Sequence, residues 1–287
     1  MDKIMLNSHA KVNLMLDVIG KREDGYHDVK MIMQQCGLCD TVIMERADSG
    51  ITLTTNLSFL PTDERNIAYK AAQAFFKYTD ISGGVNIDIL KRIPVAAGLA
   101  GGSGNAAIVL MGLNNIFCTG LSMETLRELG KLLGADVPYC MIGGTMLSEG
   151  IGDILSPLPS LPRTPIVLVK PPISVSTAGV YKEIGNNSYT HPNADSMIEA
   201  ISNRDIKGVA ANMENVMEAV TVGKYPIIQE IKNSLLESGA LGAIMSGSGP
   251  TVFGLFNDYN TAKTASLRFN RGSFFVYAGW TQLAPIV

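Results

Sequence analysis

Pro94-Val-Ala-Ala-Gly-Leu-Ala-Gly-Gly-Ser-Gly-Asn-Ala-Ala107 is the stretch on which the reading of this sequence turns. From Gly98 to Ala107, half of the residues are Gly or Ser. A backbone without Cβ atoms takes positive φ easily and comes close to a ligand. The apolar run Ala106–Phe117 follows and reads as a largely buried helix. The first turn of a helix offers unpaired N–H groups and the positive end of its dipole. A glycine loop that runs into a helix start is therefore a site for phosphate.

Two familiar phosphate motifs fit poorly. A Walker loop needs Lys-Ser or Lys-Thr after its glycines, and neither is present. Gly102-Ser-Gly104-Asn-Ala-Ala107 matches G-x-G-x-x-A as a string. That dinucleotide motif sits in a tight turn directly after a strand, whereas here Pro94 and several small residues intervene. The remaining reading is a long phosphate loop that caps a helix without a lysine of its own.

Working outward, 287 residues suggest about two domains. Hydrophobic residues at 46% and charged residues at 17% suit packed cores and exclude a disordered chain. A net charge of -3 offers no field for nucleic acid or an anionic membrane, so neither is expected as a partner. No stretch reaches the roughly 18 apolar residues of a membrane span. The first residues carry no apolar signal core, which makes the cytoplasm the expected location. Cys36-Gly-Leu-Cys39 is formally a CxxC, but Cys118 and Cys140 are isolated, so ordinary thiols are expected rather than a zinc site.

Residues 4–19 read as strand, interrupted at Asn7-Ser-His9 and by the polar Lys11 and Asn13. Val29–Gln35, Asp40–Glu45, Ile51–Thr55 and Val85–Leu90 read as further strands. Asp63-Glu-Arg-Asn66 opens a helix with Ile67, Ala71, Ala74 and Phe75 on its apolar face. Met123–Leu133 is a second amphipathic helix, with Ser122 as its cap. Pro157–Pro162 is the linker candidate, and it sets expected domains at 1–158 and 159–287. Beyond it lie a buried strand at Ile166–Val169, helices at 194–202, 205–219 and 226–237, strands at Ala243–Met245 and Thr251–Phe256, then a last helix and Phe274–Tyr277. Early strands and later helices indicate an α+β fold.

The pattern P-x-x-x-G-L-x-G-G-S-x-x-A-A resembles the second motif of the GHMP kinases, named for galacto-, homoserine, mevalonate and phosphomevalonate kinases. Ala10-Lys-Val-Asn-Leu14 with Gly20-Lys-Arg-Glu-Asp-Gly-Tyr-His27, Gly134-Ala-Asp-Val-Pro138 and Ser246-Gly-Ser-Gly-Pro250 resemble other motifs of the family, in the same order. Together they span nearly the whole chain. The inserted Gly-Gly before Ser103 is similar to one branch, whose members phosphorylate the 2-hydroxyl of 4-diphosphocytidyl-2-C-methyl-D-erythritol. The resemblance implies a two-lobed fold. Its N-terminal lobe would resemble ribosomal protein S5 domain 2, and its C-terminal lobe would be ferredoxin-like α/β. It also implies ATP and Mg²⁺, with roles for individual residues.

Lys11 and Asp136 become the catalytic pair, Asp136 as base and Lys11 as the cation beside it. Pro94, Ala97, Gly98, Leu99, Ala100, Gly101, Gly102, Ser103, Gly104 and Asn105 become the nucleotide loop, and Asn66 a residue for the adenosine end. Asn13, two residues from Lys11 on the same strand face, becomes a partner for a substrate hydroxyl. Tyr26 and Tyr181 become stacking rings for the cytosine, and His27 a hydrogen-bonding partner for its polar edge. Thr177 and the backbone of Gly247, Ser248 and Gly249 fall near the substrate. The branch carries two loop serines, and Gly104 stands in the second place, which leaves Ser103 as the loop hydroxyl for the metal. A kinase for another small alcohol and a catalytically silent nucleotide-binding relative are the open alternatives.

Overall fold

The structure is a computed structural model that describes residues 2–184, 189–270 and 272–282. It opens on two long strands, β1 (Lys3–Lys21) and β2 (His27–Ala47). They form a hairpin closed by the Arg22 N–H donating to Tyr26 O, at 2.8 Å. The expected interruption at Asn7–His9 does not occur, and β2 runs unbroken through Cys36 and Cys39. A strand survives polar residues when their side chains find partners. Gln34, fully buried, donates to the carbonyls of Gln35 and Gln282. Cys36 and Cys39 lie inside β2, where a spacing of three points them to opposite faces.

The remaining elements follow in order: β3 (Gly50–Thr55), α1 (Ile67–Thr79), β4 (Gly84–Leu90), α2 (Gly101–Ile116), α3 (Met123–Lys131), α4 (Val137–Ile142), β5 (Thr145–Glu149), β6 (Ile154–Pro157) and β7 (Pro165–Lys170). Then come α5 (Thr177–Ile184), α6 (Ala194–Ser202), α7 (Ile206–Ala211), β8 (Glu214–Asn215), α8 (Glu218–Lys224), α9 (Ile227–Glu237), β9 (Gly242–Met245), β10 (Val252–Leu255), α10 (Tyr259–Leu267) and β11 (Phe275–Trp280). The content is α+β, as the element order suggested.

The chain forms two compact units interleaved in sequence. One comprises the chain up to Ala10, Leu38–Val95 and Ala100–Ile142; the other comprises Lys11–Gly37, Ala96–Leu99 and the chain from Gly143 onward.

In the first unit β3 runs parallel to β4, and β4 pairs antiparallel with the second half of β2, from Thr41↔Leu90 to Ala47↔Gly84. Helices α1 and α2 pack on each other through small residues. Ala68, Ala71, Ala72 and Phe75 of α1 and Ala106, Ala107, Val109 and Leu110 of α2 are buried. Complete burial of a side chain such as Phe75 stabilises by about 1.5–3 kcal/mol. Asn66 and Ser122 cap α1 and α3 by accepting from the Ala68 and Thr125 N–H groups.

In the second unit β5 pairs antiparallel with the first half of β2 and with β6, and β8 pairs parallel with β1 at Met15↔Glu214. A separate antiparallel sheet has the order β11-β7-β10-β9. Its inner strand β7 buries Ile166, Val167, Leu168 and Val169, while α9 packs on β9 and β10, and α10 on β7 and β11. The single helix expected at 205–219 is not formed. Helix α7 stops at Ala211, and Asn215 enters β8, where its side chain serves another loop.

Candidate active site

The glycine segment is held in an unusual backbone shape. Ala96, Gly98 and Ala100 all have positive φ, at 50°, 73° and 55°. Such a shape costs energy at the two alanines and persists only when the surroundings impose it. The Gly98 carbonyl accepts from Ser246 Oγ at 2.9 Å, and the Leu99 carbonyl accepts from the Lys11 N–H at 3.2 Å. Ala97 and Leu99 are buried. A Cβ on Gly98 would lie 2.2 Å from Ser246 O, so close an approach that only glycine fits.

Helix α2 begins at Gly101, five residues before the Ala106 expected from the sequence. Glycine disfavours helix by roughly 1 kcal/mol per residue, which is why pattern reading places these residues in a loop. Close packing reverses the preference: a Cβ on Gly101 would lie 2.9 Å from the Ile93 side chain. Ala100 occupies the N-cap and gives the first turn no side-chain hydrogen bond. The N–H groups of Gly101, Gly102 and Ser103 are thus the donors of an uncapped helix start. The long segment separating β4 from α2 also removes the dinucleotide reading, which needs a tight strand-to-helix turn.

A buried network behind this turn was not foreseen. Asp40 of β2 is fully buried and accepts from the backbone N–H groups of Arg92 and Ile93 at 2.7 and 2.8 Å. Its other oxygen accepts from Asn105 Nδ2 at 3.0 Å and from Lys91 Nζ. Lys91 also donates to Asn105 Oδ1 at 2.9 Å. Asn105, read from the sequence as a nucleotide contact, has its side chain committed to this network. An Asp followed by ordinary strand residues carries no signal that would have revealed it.

Asp136 stands at the start of α4, where its carbonyl accepts from the Cys140 N–H at 3.1 Å. Asp136 thus stands at the entry to a short helix that the sequence reading omitted. Pro138 sits in its first turn, where a missing N–H costs nothing. Asp136 is half-buried.

In the second unit Lys11 is 5% exposed, and its Nζ donates to Asn13 Oδ1 at 2.7 Å. The Asn13 N–H donates to Ser246 Oγ at 3.3 Å. The turn after β9 is tightly built: Gly247 and Gly249 have φ of 58° and 87°, and Ser248 Oγ lies 2.8 Å from Thr177 Oγ1. Asn215 donates to both Met245 O and Gly247 O at 2.8 Å, so β8 fixes this turn. Lys11, Asn13, Ser246, Gly98 and Leu99 are therefore brought together, and Thr177 joins Ser248.

The imidazole of His27 stacks on Tyr181, while Tyr26 is 62% exposed. Partial burial, then the charge of Lys21, holds the His27 pKa below its ordinary value. Asn66 is fully engaged as a cap: Oδ1 accepts from the Ala68 N–H and Nδ2 donates to Pro61 O. Just before it, the Arg65 guanidinium lowers the Asp63 carboxyl to about 2.

Among the described residues no group of three or more His, Cys, Asp or Glu could hold a metal. No helix among the described residues is long and apolar enough to cross a membrane.

The family model for the GHMP kinases N terminal domain matches residues 66–144, and that for GHMP kinases C terminal matches residues 197–272. The chain belongs to the GHMP kinase family. A 4-diphosphocytidyl-2-C-methyl-D-erythritol kinase from Alkaliphilus oremlandii is 53% identical over 292 residues, covering 99% of this chain and 100% of the relative. One from Clostridium perfringens is 48% identical and covers 94% of each chain. A solved 4-(cytidine 5'-diphospho)-2C-methyl-D-erythritol kinase superposes with a TM-score of 0.84 at 32% identity, over 97% of this chain and 99% of that one. The homoserine kinase of Cytophaga hutchinsonii, 18% identical with a TM-score of 0.80 over 99% of this chain and 96% of its own, shows the shared GHMP kinase fold alone.

Proposed function

We propose that this chain transfers the γ-phosphoryl group of ATP to the 2-hydroxyl of 4-diphosphocytidyl-2-C-methyl-D-erythritol, a step of the non-mevalonate route to isoprenoid precursors. Identity of 53% over nearly the full length to a kinase named for that substrate carries the reading. The uncapped start of α2 supports it, since phosphoryl transfer is mostly positioning and charge stabilisation.

In this reading the N–H groups of Gly101, Gly102 and Ser103 donate to the nucleotide phosphates. The loop from Pro94 to Gly104 shapes their approach, and Asn66 fixes the entry of α1 beside the adenosine. Ser103 is the loop hydroxyl that would meet magnesium bound with ATP, an ion that would supply neutralisation of the developing charge. Asp136 takes the proton of the attacking hydroxyl. Lys11 favours the ionised carboxylate and stabilises charge on the transferring group. Asn13 orders Lys11 through their hydrogen bond and orients the acceptor hydroxyl. Tyr181, His27 and Tyr26 hold the cytosine, and Thr177 with Gly247, Ser248 and Gly249 holds the diphosphate side. The lobes are 1–158 and 159–287, a division that leaves one family model on each side. The enzyme works in the cytoplasm on this small molecule, without nucleic acid or membrane.

The test is phosphoryl transfer by purified protein with Mg·ATP, following ADP release and product by ³¹P NMR. The cytidyl substrate, homoserine and mevalonate are compared. Turnover of the cytidyl substrate alone is expected. Turnover of another alcohol in its place, or nucleotide binding with no turnover, would defeat the assignment.

A further inference from the structure

Ser8 lies on β1 in the first unit, 2% exposed, and its hydroxyl has no hydrogen-bond partner among the described residues. Leaving a buried hydroxyl unpaired is costly, and such groups in a native fold call for a reason. Its position is informative. A Cβ built on Gly104 would lie 2.5 Å from Ser8 Oγ, whereas Ser8 Cβ is 3.8 Å away and the His9 carbonyl 3.5 Å away. The strand hydroxyl thus fills the place where a side chain at position 104 would begin. Position 104 belongs to the first turn of α2, whose N–H groups are assigned above to the nucleotide phosphates.

We propose that Ser8 and Gly104 form a reciprocal pair in which β1, rather than α2, supplies the hydroxyl at this point, and that Ser8 Oγ donates a hydrogen bond to a phosphate oxygen of bound ATP. The proposal rests on the nucleotide reading of α2 given above. Two features support it. The hydroxyl lies against Gly104, in the first turn of a 16-residue helix that has no side-chain cap of its own. A staggered rotation about χ1 also redirects Oγ without moving the strand, so a hydroxyl with no partner to lose is free to turn toward an arriving anion. The geometry makes the pair exchangeable. With alanine at position 8 the 2.5 Å obstruction disappears, and the nearest remaining atom, at 3.5 Å, is in ordinary contact.

The experiment measures the Kd of magnesium-bound β,γ-imido-ATP by isothermal titration, with thermal unfolding in parallel, for wild type, Ser8→Ala, Gly104→Ser and the double variant. Ser8→Ala should fold with an unchanged or raised Tm and bind about fivefold more weakly, the loss of one hydrogen bond. Gly104→Ser alone should lose stability, because the added side chain takes the place of Ser8 Oγ and forces that hydroxyl to turn with no anion there to receive it. The double variant should recover both Tm and affinity to within about twofold. Wild-type affinity in folded Ser8→Ala would overturn the proposal, as would a double variant that regains stability but not affinity. Failure of wild type to bind the nucleotide would instead overturn the kinase reading, so the two are separable.

Discussion

The His27 and Tyr181 rings lie face to face, with centroids 5.0 Å apart and planes inclined by 30°. The relationship joins β2 to α5, elements more than a hundred residues apart in the chain. Tyr26, the neighbour of His27, is largely exposed instead. Tyr181 is thus the better anchored of the two tyrosines assigned to the cytosine. Tyr181→Ala is expected to raise KM for the cytidyl substrate about tenfold, the worth of one stacked base, with kcat little changed. A lower kcat at unchanged KM would place Tyr181 outside the binding step.

The same pair sets a pH dependence. Burial and Lys21 depress the His27 pKa, so the folded state prefers the neutral imidazole. Below its ordinary value of about 6.5, the unfolded chain takes the proton before the folded one does. The contribution of His27 to stability is therefore complete above that pH and is lost as pH falls through the depressed folded value. An NMR titration of the His27 ring should give a pKa below that of a free histidine. A higher pKa would contradict the sign.

Asp136→Asn removes the proton acceptor while preserving shape. Turnover is expected to fall by about 10²–10⁴-fold, with nucleotide affinity unchanged. Single-turnover kinetics and a nucleotide titration check it, and wild-type turnover would refute the assigned mechanism.

Asp40 holds Lys91, Asn105 and the backbone after β4 in one buried cluster. Asp40→Ala strands the Lys91 ammonium, which is 6% exposed, without its counter-charge. Loss of a buried partner costs about 3–5 kcal/mol. Urea unfolding should show a loss of this order, and a loss below about 1 kcal/mol would show that the cluster relaxes freely.

Gly98→Ala pushes a Cβ against the Ser246 carbonyl at 2.2 Å and imposes a left-handed φ of 73° on an alanine. Backbone on both sides resists, so the loop should shift and KM for ATP should rise at least tenfold, with a lower Tm. Unchanged KM and Tm would mean that the loop does not depend on this contact.

Much of the local architecture was legible. The caps Asn66 and Ser122, strand β4, the buried β7 and the pair β9–β10 follow from periodicity and end signals. The errors have one cause. The polar run Asn7–His9 inside β1 reads as a break because partners such as Thr41, whose hydroxyl donates to Asn7 Oδ1, are distant in sequence. Residues 205–219 read as one helix because helical composition continues through Asn215, whose tertiary duty is to hold Met245 and Gly247.

By itself the sequence determined that a glycine-dense loop precedes a buried helix, that its motifs follow the GHMP kinase order, and that Lys11 and Asp136 are the residues to question. These depend on residue type and spacing, which are local. Only the tertiary structure decided where α2 begins, that Asn105 faces Asp40 rather than solvent, and that Ser8 occupies the space beside Gly104. Those outcomes depend on which atoms compete for the same few ångströms. Glycine's weak helix preference yields there, because a backbone without Cβ atoms lets α2 start close against Ile93 and Ser8.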